Sequence, residues 1–309
     1  MDELFPSGSL LSGVALPSPR ALGRFAVDDG AVLAYQVFGA SRAPVVAIAG
    51  ALGVAPAALA GQIAALSRRY RVVCWDYRGT GASLGEQVPA DLTPGRLARD
   101  LGAVLDRLAV SQALLVGWGL GVAVAFELVR QRPALPLGLV ALCGTAGRPL
   151  RAALPLPLAW VGEQLVEQLA RHPQLIEHFV GLRTPLPRAL LAVLRSLLPS
   201  GEQADRELLA RGLGGLGAAD SGVLLGLLLR QLQHDASDVV PQLACPLLVI
   251  TGTRDRLTPP AAGRALAAAA PQGEQREVEG GTHFAPLEQP ATINRWLLEL
   301  ARRVYPPQP

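Results

Sequence analysis

Lysine is absent from this chain of 309 residues, so all 28 basic side chains are arginine. Against 25 acidic residues they leave a formal charge of only +3, and they are scattered singly or in short groups such as Arg68, Arg69 and Arg71. No basic run of the kind that tracks a phosphate backbone is present, which excludes a nucleic-acid-binding arm. The arginine bias reads instead as the codon usage of a GC-rich, bacterial genome. Cysteine is scarce. Cys74, Cys143 and Cys245 fall on or beside expected inner strands with no CxxC spacing, so neither a disulfide framework nor a zinc site is indicated, and no metal or cofactor is expected. Long apolar runs are also missing. Mean hydropathy is high at +0.32, yet the longest weakly charged stretches are interrupted by Glu127 or by proline and glycine, leaving no clean span of about 20 apolar residues. The opening Met1-Asp2-Glu3-Leu4 is acidic, and the apolar stretch after it is broken by Pro6, Gly8, Gly13 and Pro17, unlike a secretory signal. The expectation is a soluble, cytoplasmic protein with no membrane span.

What is present is an alternation of short apolar runs with amphipathic stretches. Strands are expected at 45–49, 71–75, 113–117, 137–142, 246–251 and 275–278, and Asp29-Gly30 marks a hairpin turn between two earlier strands. Because most of these runs are apolar throughout, they fit a parallel sheet covered on both faces. A helix over 93–108 places Leu97, Leu101, Val104, Leu105 and Leu108 on one stripe, with Arg96, Arg99, Asp100 and Arg107 elsewhere. From about 148 to 236 the strand signal stops. Leucine, alanine, arginine and glutamine then recur at helical spacing, broken at Pro173, Pro185, Pro187, Pro199 and Gly212 to Gly217. The organisation expected is an extension at 1–22, a core of 23–147 with 237–309, and a helical insertion at 148–236.

Four segments carry chemistry. Leu114-Leu115-Val116-Gly117-Trp118-Gly119-Leu120-Gly121 reads as a buried strand, a sharp glycine turn and a helix. Asp76-Tyr77-Arg78-Gly79-Thr80-Gly81-Ala82-Ser83 is a glycine-rich turn after a strand; Gly252-Thr253-Arg254-Asp255 and Gly281-Thr282-His283-Phe284 come later in the chain. In this order the set resembles the α/β-hydrolase family over about residues 25–303. The resemblance implies an α/β-hydrolase fold, with a mostly parallel twisted sheet, helices on both faces and the insertion as a helical cap. It identifies the turn at Gly119 as the nucleophile elbow, G-x-S-x-G, with glycine where the family carries serine. It implies that Asp255 and His283 are the acid and base of the triad, and that the backbone N–H groups of Leu120 and Ala51 form an oxyanion hole. Gly50, Trp118, Cys143 and Phe284 are then expected around the pocket. Ala49 stands where the family often carries histidine, which removes an expected brace of the loop at Gly50 and Ala51.

A turn with no hydroxyl at its tip cannot form an acyl-enzyme there. Three readings are open. The His283–Asp255 dyad acts as general base or acid on a bound small, largely apolar molecule, including water-mediated hydrolysis. Alternatively, the chain is a non-catalytic relative that binds a small ligand or a protein partner through the same pocket. Or it is a hydrolase whose nucleophile is displaced, with Cys143 the candidate, or whose serine was removed by engineering. Gly117-x-Gly119-x-Gly121 also resembles a dinucleotide-binding turn. However, the third glycine of that pattern would fall at Val122, and Leu142-Cys143-Gly144 at the end of the next strand offers no acid for a ribose. His172, His178 and His234 are expected in or beside the cap as solvated or packing residues, and Ser83 as a backbone-bonding residue of its turn.

Overall fold

Strands that are apolar on both faces need cover on both faces, and the chain supplies it around eight strands: β1 (Ala21–Ala26), β2 (Val32–Phe38), β3 (Val45–Ala49), β4 (Arg71–Trp75), β5 (Ala113–Trp118), β6 (Pro136–Leu142), β7 (Leu247–Gly252) and β8 (Gly273–Val278). These come from a computed structural model that describes residues 15–85, 89–171 and 221–306. The sheet order is β1-β2-β4-β3-β5-β6-β7-β8. β2 pairs antiparallel with β1 and β4, and every other neighbour pair is parallel. β3 and β4 match their expected bounds, and β5 to β8 differ by one or two residues at their ends. β1 begins inside the segment expected to be a loose extension, because Ala21 is already paired with Val37. Residues 1–14 of that extension lie outside the described residues.

The helices Pro94–Arg107, Leu120–Gln131 and Pro260–Ala269 pack on one face, over Val73, Leu115, Ala141 and Val249. The helices Ala60–Leu66 and Pro290–Val304 pack on the other, over Val46, Val72, Leu114, Val116 and Val140. The chain therefore leaves β3 for one face and β5 for the other. Neighbouring parallel strands whose helices depart to opposite faces part at their carboxyl ends, and the crevice between them is where ligands bind in open α/β sheets. Here that crevice lies between the loops after Ala49 and after Trp118. At the opposite end of the same two strands, Tyr305 donates from Oη to the Val45 carbonyl at 2.7 Å and accepts from the Leu114 N–H at 3.0 Å.

Between β6 and β7 the described residues form helices Pro149–Ala153, Leu156–Arg171 and Ser221–Gln233. His172, His178 and the breaks from Pro173 to Gly217 lie outside the described residues. The returning helix rests on the core through Val223 and Leu227. The two ends of the insertion are stitched by Ala236 N–H donating to the Ala146 carbonyl at 2.8 Å. His234 Nε2 lies 2.9 Å from Glu127 Oε1 on the helix Leu120–Gln131, so this histidine is an inter-element tie and not a solvated side chain.

The helix Pro94–Arg107 buries Leu97, Leu101, Val104 and Leu105 as expected, but Arg96 and Asp100 are buried too. Both belong to an ion network that the stripe could not reveal. Arg78, fully enclosed, donates to both oxygens of Asp100 at 2.6 and 2.7 Å and to Asp29 at 2.7 Å, while Arg96 binds Asp28. The network fastens the turn after β4 to the β1–β2 hairpin and to this helix. Ser83 completes the fastening, accepting from Ala34 N–H at 2.8 Å and donating to the Asp76 carbonyl at 2.7 Å.

Among the described residues the Asp76 side chain in that turn has one donor, Ala82 N–H at 3.0 Å. Burial pushes its pKa from 3.8 up to about 6, against the smaller opposing pull of that N–H. Between these values the folded chain holds a proton that the unfolded chain releases, so this group makes stability fall as pH rises from about 4 to 6, by up to about 3 kcal/mol. Asp76→Asn, which keeps the acceptor, is expected to flatten this stretch of the profile and to raise stability at pH 7. Urea unfolding at a series of pH values measures it.

Candidate functional site

Gly119 turns the chain from β5 into the next helix with φ +55° and ψ −113°. This lies outside the small left-handed region that L-residues tolerate, so glycine holds the turn without the steric cost of a side chain. Its N–H donates to the Leu142 carbonyl at 3.1 Å, and its carbonyl accepts from Val122 N–H at 3.1 Å. The helix beginning at Leu120 is pressed against the end of β3: a Cβ on Gly121 would lie 1.9 Å from the Ala49 carbonyl oxygen. That approach brings the loop after β3 beside the turn. A Cβ built on Gly119 would lie 3.3 Å from Ala51 Cβ and 3.5 Å from His283 Nε2.

Asp255 lies just after β7 and is completely surrounded. Its Oδ1 accepts from Leu257 N–H at 2.8 Å and Thr258 N–H at 2.9 Å, and its Oδ2 accepts from Thr258 Oγ1 at 2.6 Å. The same Oδ2 lies 3.0 Å from His283 Nδ1. Burial works to raise the Asp255 pKa, but the facing imidazole and these donors outweigh it and hold the carboxyl below the ordinary carboxylate range. A carboxylate so held fixes the imidazole ring with Nε2 directed at the turn.

The backbone that carries His283 is pinned from three sides. Trp118 donates from Nε1 to the His283 carbonyl at 3.1 Å. Glu288 accepts from Thr282 N–H at 2.8 Å and from Thr282 Oγ1 at 2.5 Å, and Cys143 Sγ lies 3.8 Å from the Thr282 carbonyl. These contacts correct two expectations. Trp118 does not line a pocket floor: it is fully enclosed in the core layer with Val116, Val140 and Phe284, because its side chain leaves β5 on the face opposite the elbow helix. Phe284 sits in that layer too, edge-on to Trp118. Cys143 is likewise enclosed, and burial together with the nearby Asp255 charge pushes its thiol well above the ordinary range, so it is held as a neutral thiol. That speaks against Cys143 as a displaced nucleophile.

At the loop after β3, Tyr77 donates from Oη to the Gly50 carbonyl at 2.5 Å. The Ala51 and Leu120 N–H groups make no hydrogen bond to an acceptor among the described residues, Leu120 being in the first helical turn where amides lack intrahelical partners. Among the described residues, no group of histidine, cysteine and carboxylate side chains is arranged to hold a metal ion. No helix among them is long and apolar enough to cross a membrane.

The α/β hydrolase fold family profile matches residues 43–290. The chain belongs to that family. As a family member it is 27% identical over 259 residues to a putative carbamate hydrolase, RutD, of Klebsiella pneumoniae strain 342, across 83% of this chain and 91% of that protein. It superposes with TM-score 0.66 on a hydrolase from Pseudomonas aeruginosa, at 26% identity over 92% of this chain and 99% of that one. An enol-lactonase from Burkholderia xenovorans shares the fold at TM-score 0.70 and 23% identity, over 90% of this chain and 99% of that one.

The structure thus brings Gly119, Ala51, Leu120, Asp255 and His283 to one crevice of this hydrolase fold, and sets Trp118, Cys143 and Phe284 behind it. Three contributors were not singled out from the sequence: Thr258, Tyr77 and Glu288. Thr258 has a readable signal, since a short polar side chain three residues after an aspartate and just before Pro259 completes an Asp-headed turn. Tyr77 has none, because its partner lies on a different loop.

Thr258→Val removes the 2.6 Å donor and leaves Asp255 with less support for its charge. A depressed carboxylate adds stability that is present above its unfolded pKa and lost as pH falls through its folded one. The variant is expected to lose about 1.5–3 kcal/mol at pH 7, and its acid unfolding is expected to start at higher pH than that of the parent. Unfolding midpoints from pH 2 to 7 check both.

Proposed function

We propose that Gly119 stands at the nucleophile position of this hydrolase fold and that the His283–Asp255 dyad activates water for direct hydrolysis of a small, largely apolar acyl substrate. The observation that carries this reading is the placement of His283 Nε2, 3.5 Å from where a side chain on Gly119 would begin, with Asp255 locked on the other ring nitrogen. Water attacks the carbonyl carbon and gives its proton to Nε2; the oxyanion that forms is received by the Ala51 and Leu120 N–H groups. His283 then returns the proton to the leaving group, and acid and alcohol or amine depart. The relatives support an acyl substrate by their names, a putative carbamate hydrolase and an enol-lactonase among them.

Water is a poorer fit than a serine hydroxyl. It must keep a van der Waals distance from the Gly119 backbone and is ordered anew in each turnover, whereas a serine oxygen is covalently held in place. Turnover by this route is therefore slow. An enzyme that has lost one triad member retains about 10³ to 10⁴ over water from its oxyanion hole and binding alone.

Gly119→Ser is the direct test. The serine must adopt φ +55°, ψ −113° and displace Ala51 Cβ slightly, so the variant is expected to lose about 1–3 kcal/mol of stability. It should gain a burst of p-nitrophenol from short-chain p-nitrophenyl esters, with kcat at least about 10²-fold above the natural chain. The natural chain should show slow, saturable release without a burst, abolished by His283→Ala. Release that persists in His283→Ala sinks the proposal. A natural chain with no His283-dependent release, beside an active serine variant, assigns the scaffold to binding instead.

A further inference from the structure

We infer that Tyr77 is the positioning residue that aims the Ala51 N–H into the crevice, in place of the brace lost with Ala49. This rests on the reading of Ala51 as an oxyanion donor. The Gly50 carbonyl and the Ala51 N–H belong to one planar trans peptide, so they point in opposite directions along a single rigid unit. Whatever holds the carbonyl sets the direction of the N–H. Tyr77 holds it at 2.5 Å through a phenol buried in the core. The ring is fixed in turn by edge-to-face packing on Trp75, at 5.0 Å and 83°. Burial pushes the phenol pKa above its ordinary value, so the hydroxyl is a protonated donor at neutral pH.

Among the described residues no backbone N–H donates to the Gly50 carbonyl. A side chain on Gly50 would meet, among the described residues, only the Val54 carbonyl, at 3.5 Å, so packing does not wedge the loop at that position. Ala51 is tied onward through its own carbonyl, which accepts from Val54 N–H at 3.2 Å. That bond is made on the far side of Ala51 and does not engage the Gly50–Ala51 peptide itself. A donor on the carbonyl side also polarises the amide and makes its N–H a stronger donor to a developing negative charge. Tyr77 touches no reacting atom; its effect passes entirely through this one peptide.

Tyr77→Phe keeps the ring and removes only the hydroxyl. In the Gly119→Ser background, where turnover is measured most readily, it is expected to lower kcat for p-nitrophenyl butyrate about tenfold or more, with KM within about twofold. Tyr305→Phe, which removes the hydrogen bonds to Val45 and Leu114 at the other end of β3 and β5, is the control for a stability loss alone and should leave kcat unchanged. In ligand-free NMR spectra of the natural chain, Tyr77→Phe should shift the Gly50 carbonyl carbon and the Ala51 amide together. Equal kcat in both backgrounds with unmoved Gly50 and Ala51 resonances overturns the inference. If Tyr77→Phe does not fold, the Tyr77 hydroxyl proton of the natural chain decides: slow exchange with contact to Gly50 supports the brace, and free exchange with solvent removes it. A failure of the dyad reading looks different, since His283→Ala would then leave rates unchanged while the two resonances still respond to Tyr77→Phe.

Discussion

The approach of the elbow helix to the end of β3 is the constraint on which the rest of the site depends. With a Cβ on Gly121 excluded by the Ala49 carbonyl at 1.9 Å, only glycine lets the helix Leu120–Gln131 begin where it does. Its starting point sets the position of the Leu120 N–H, the turn at Gly119 and the contact of that turn with Ala51. The parting of chain direction between β3 and β5 opens the crevice, and this close packing keeps it narrow enough for two loops and a histidine to face one point.

Around that point the molecule combines a relaxed turn with a heavily supported carboxylate and imidazole. At Gly119 the elbow geometry is kept without the strain that a serine would carry, which is worth about 1–3 kcal/mol to the fold. Asp255 is treated in the opposite manner, enclosed and then compensated by three hydrogen bonds from Leu257 and Thr258 in addition to His283. A buried carboxylate without such donors would cost more than its pairing returns. The polar ties extend outward through Glu288 to Thr282, Trp118 to the His283 carbonyl and Tyr77 to Gly50.

The ion network of Arg78, Asp100, Arg96, Asp28 and Asp29 does comparable work at the margin. It lies under the glycine-rich turn that leads from β4 and holds that turn against the first hairpin. The same turn begins with Asp76 and Tyr77, so the network and the Tyr77 bond to the loop after β3 are mechanically adjacent.

Much of this was legible in the residues alone. Apolar runs gave β3 and β4 to the residue and β5, β6 and β7 to within one position at each end, because a strand covered on both faces must be apolar throughout. The glycines flanking position 119, Asp255 before Pro259 and His283 near the end marked the site because each is locally constrained by its own turn. Three things were decided only by the tertiary structure. Arg96 and Asp100 looked like solvent-facing charges, since helical periodicity registers where a side chain points and not whether a partner such as Arg78 waits there. Trp118, one residue before the tip, and Cys143, at the end of the neighbouring strand, looked like pocket residues, since a place at the strand end says nothing about which face of the sheet a side chain occupies. The brace of Gly50 by Tyr77 had no local signal at all, because hydrogen bonds between loops are fixed by how strands are ordered in the sheet, and that order is not written in any single segment.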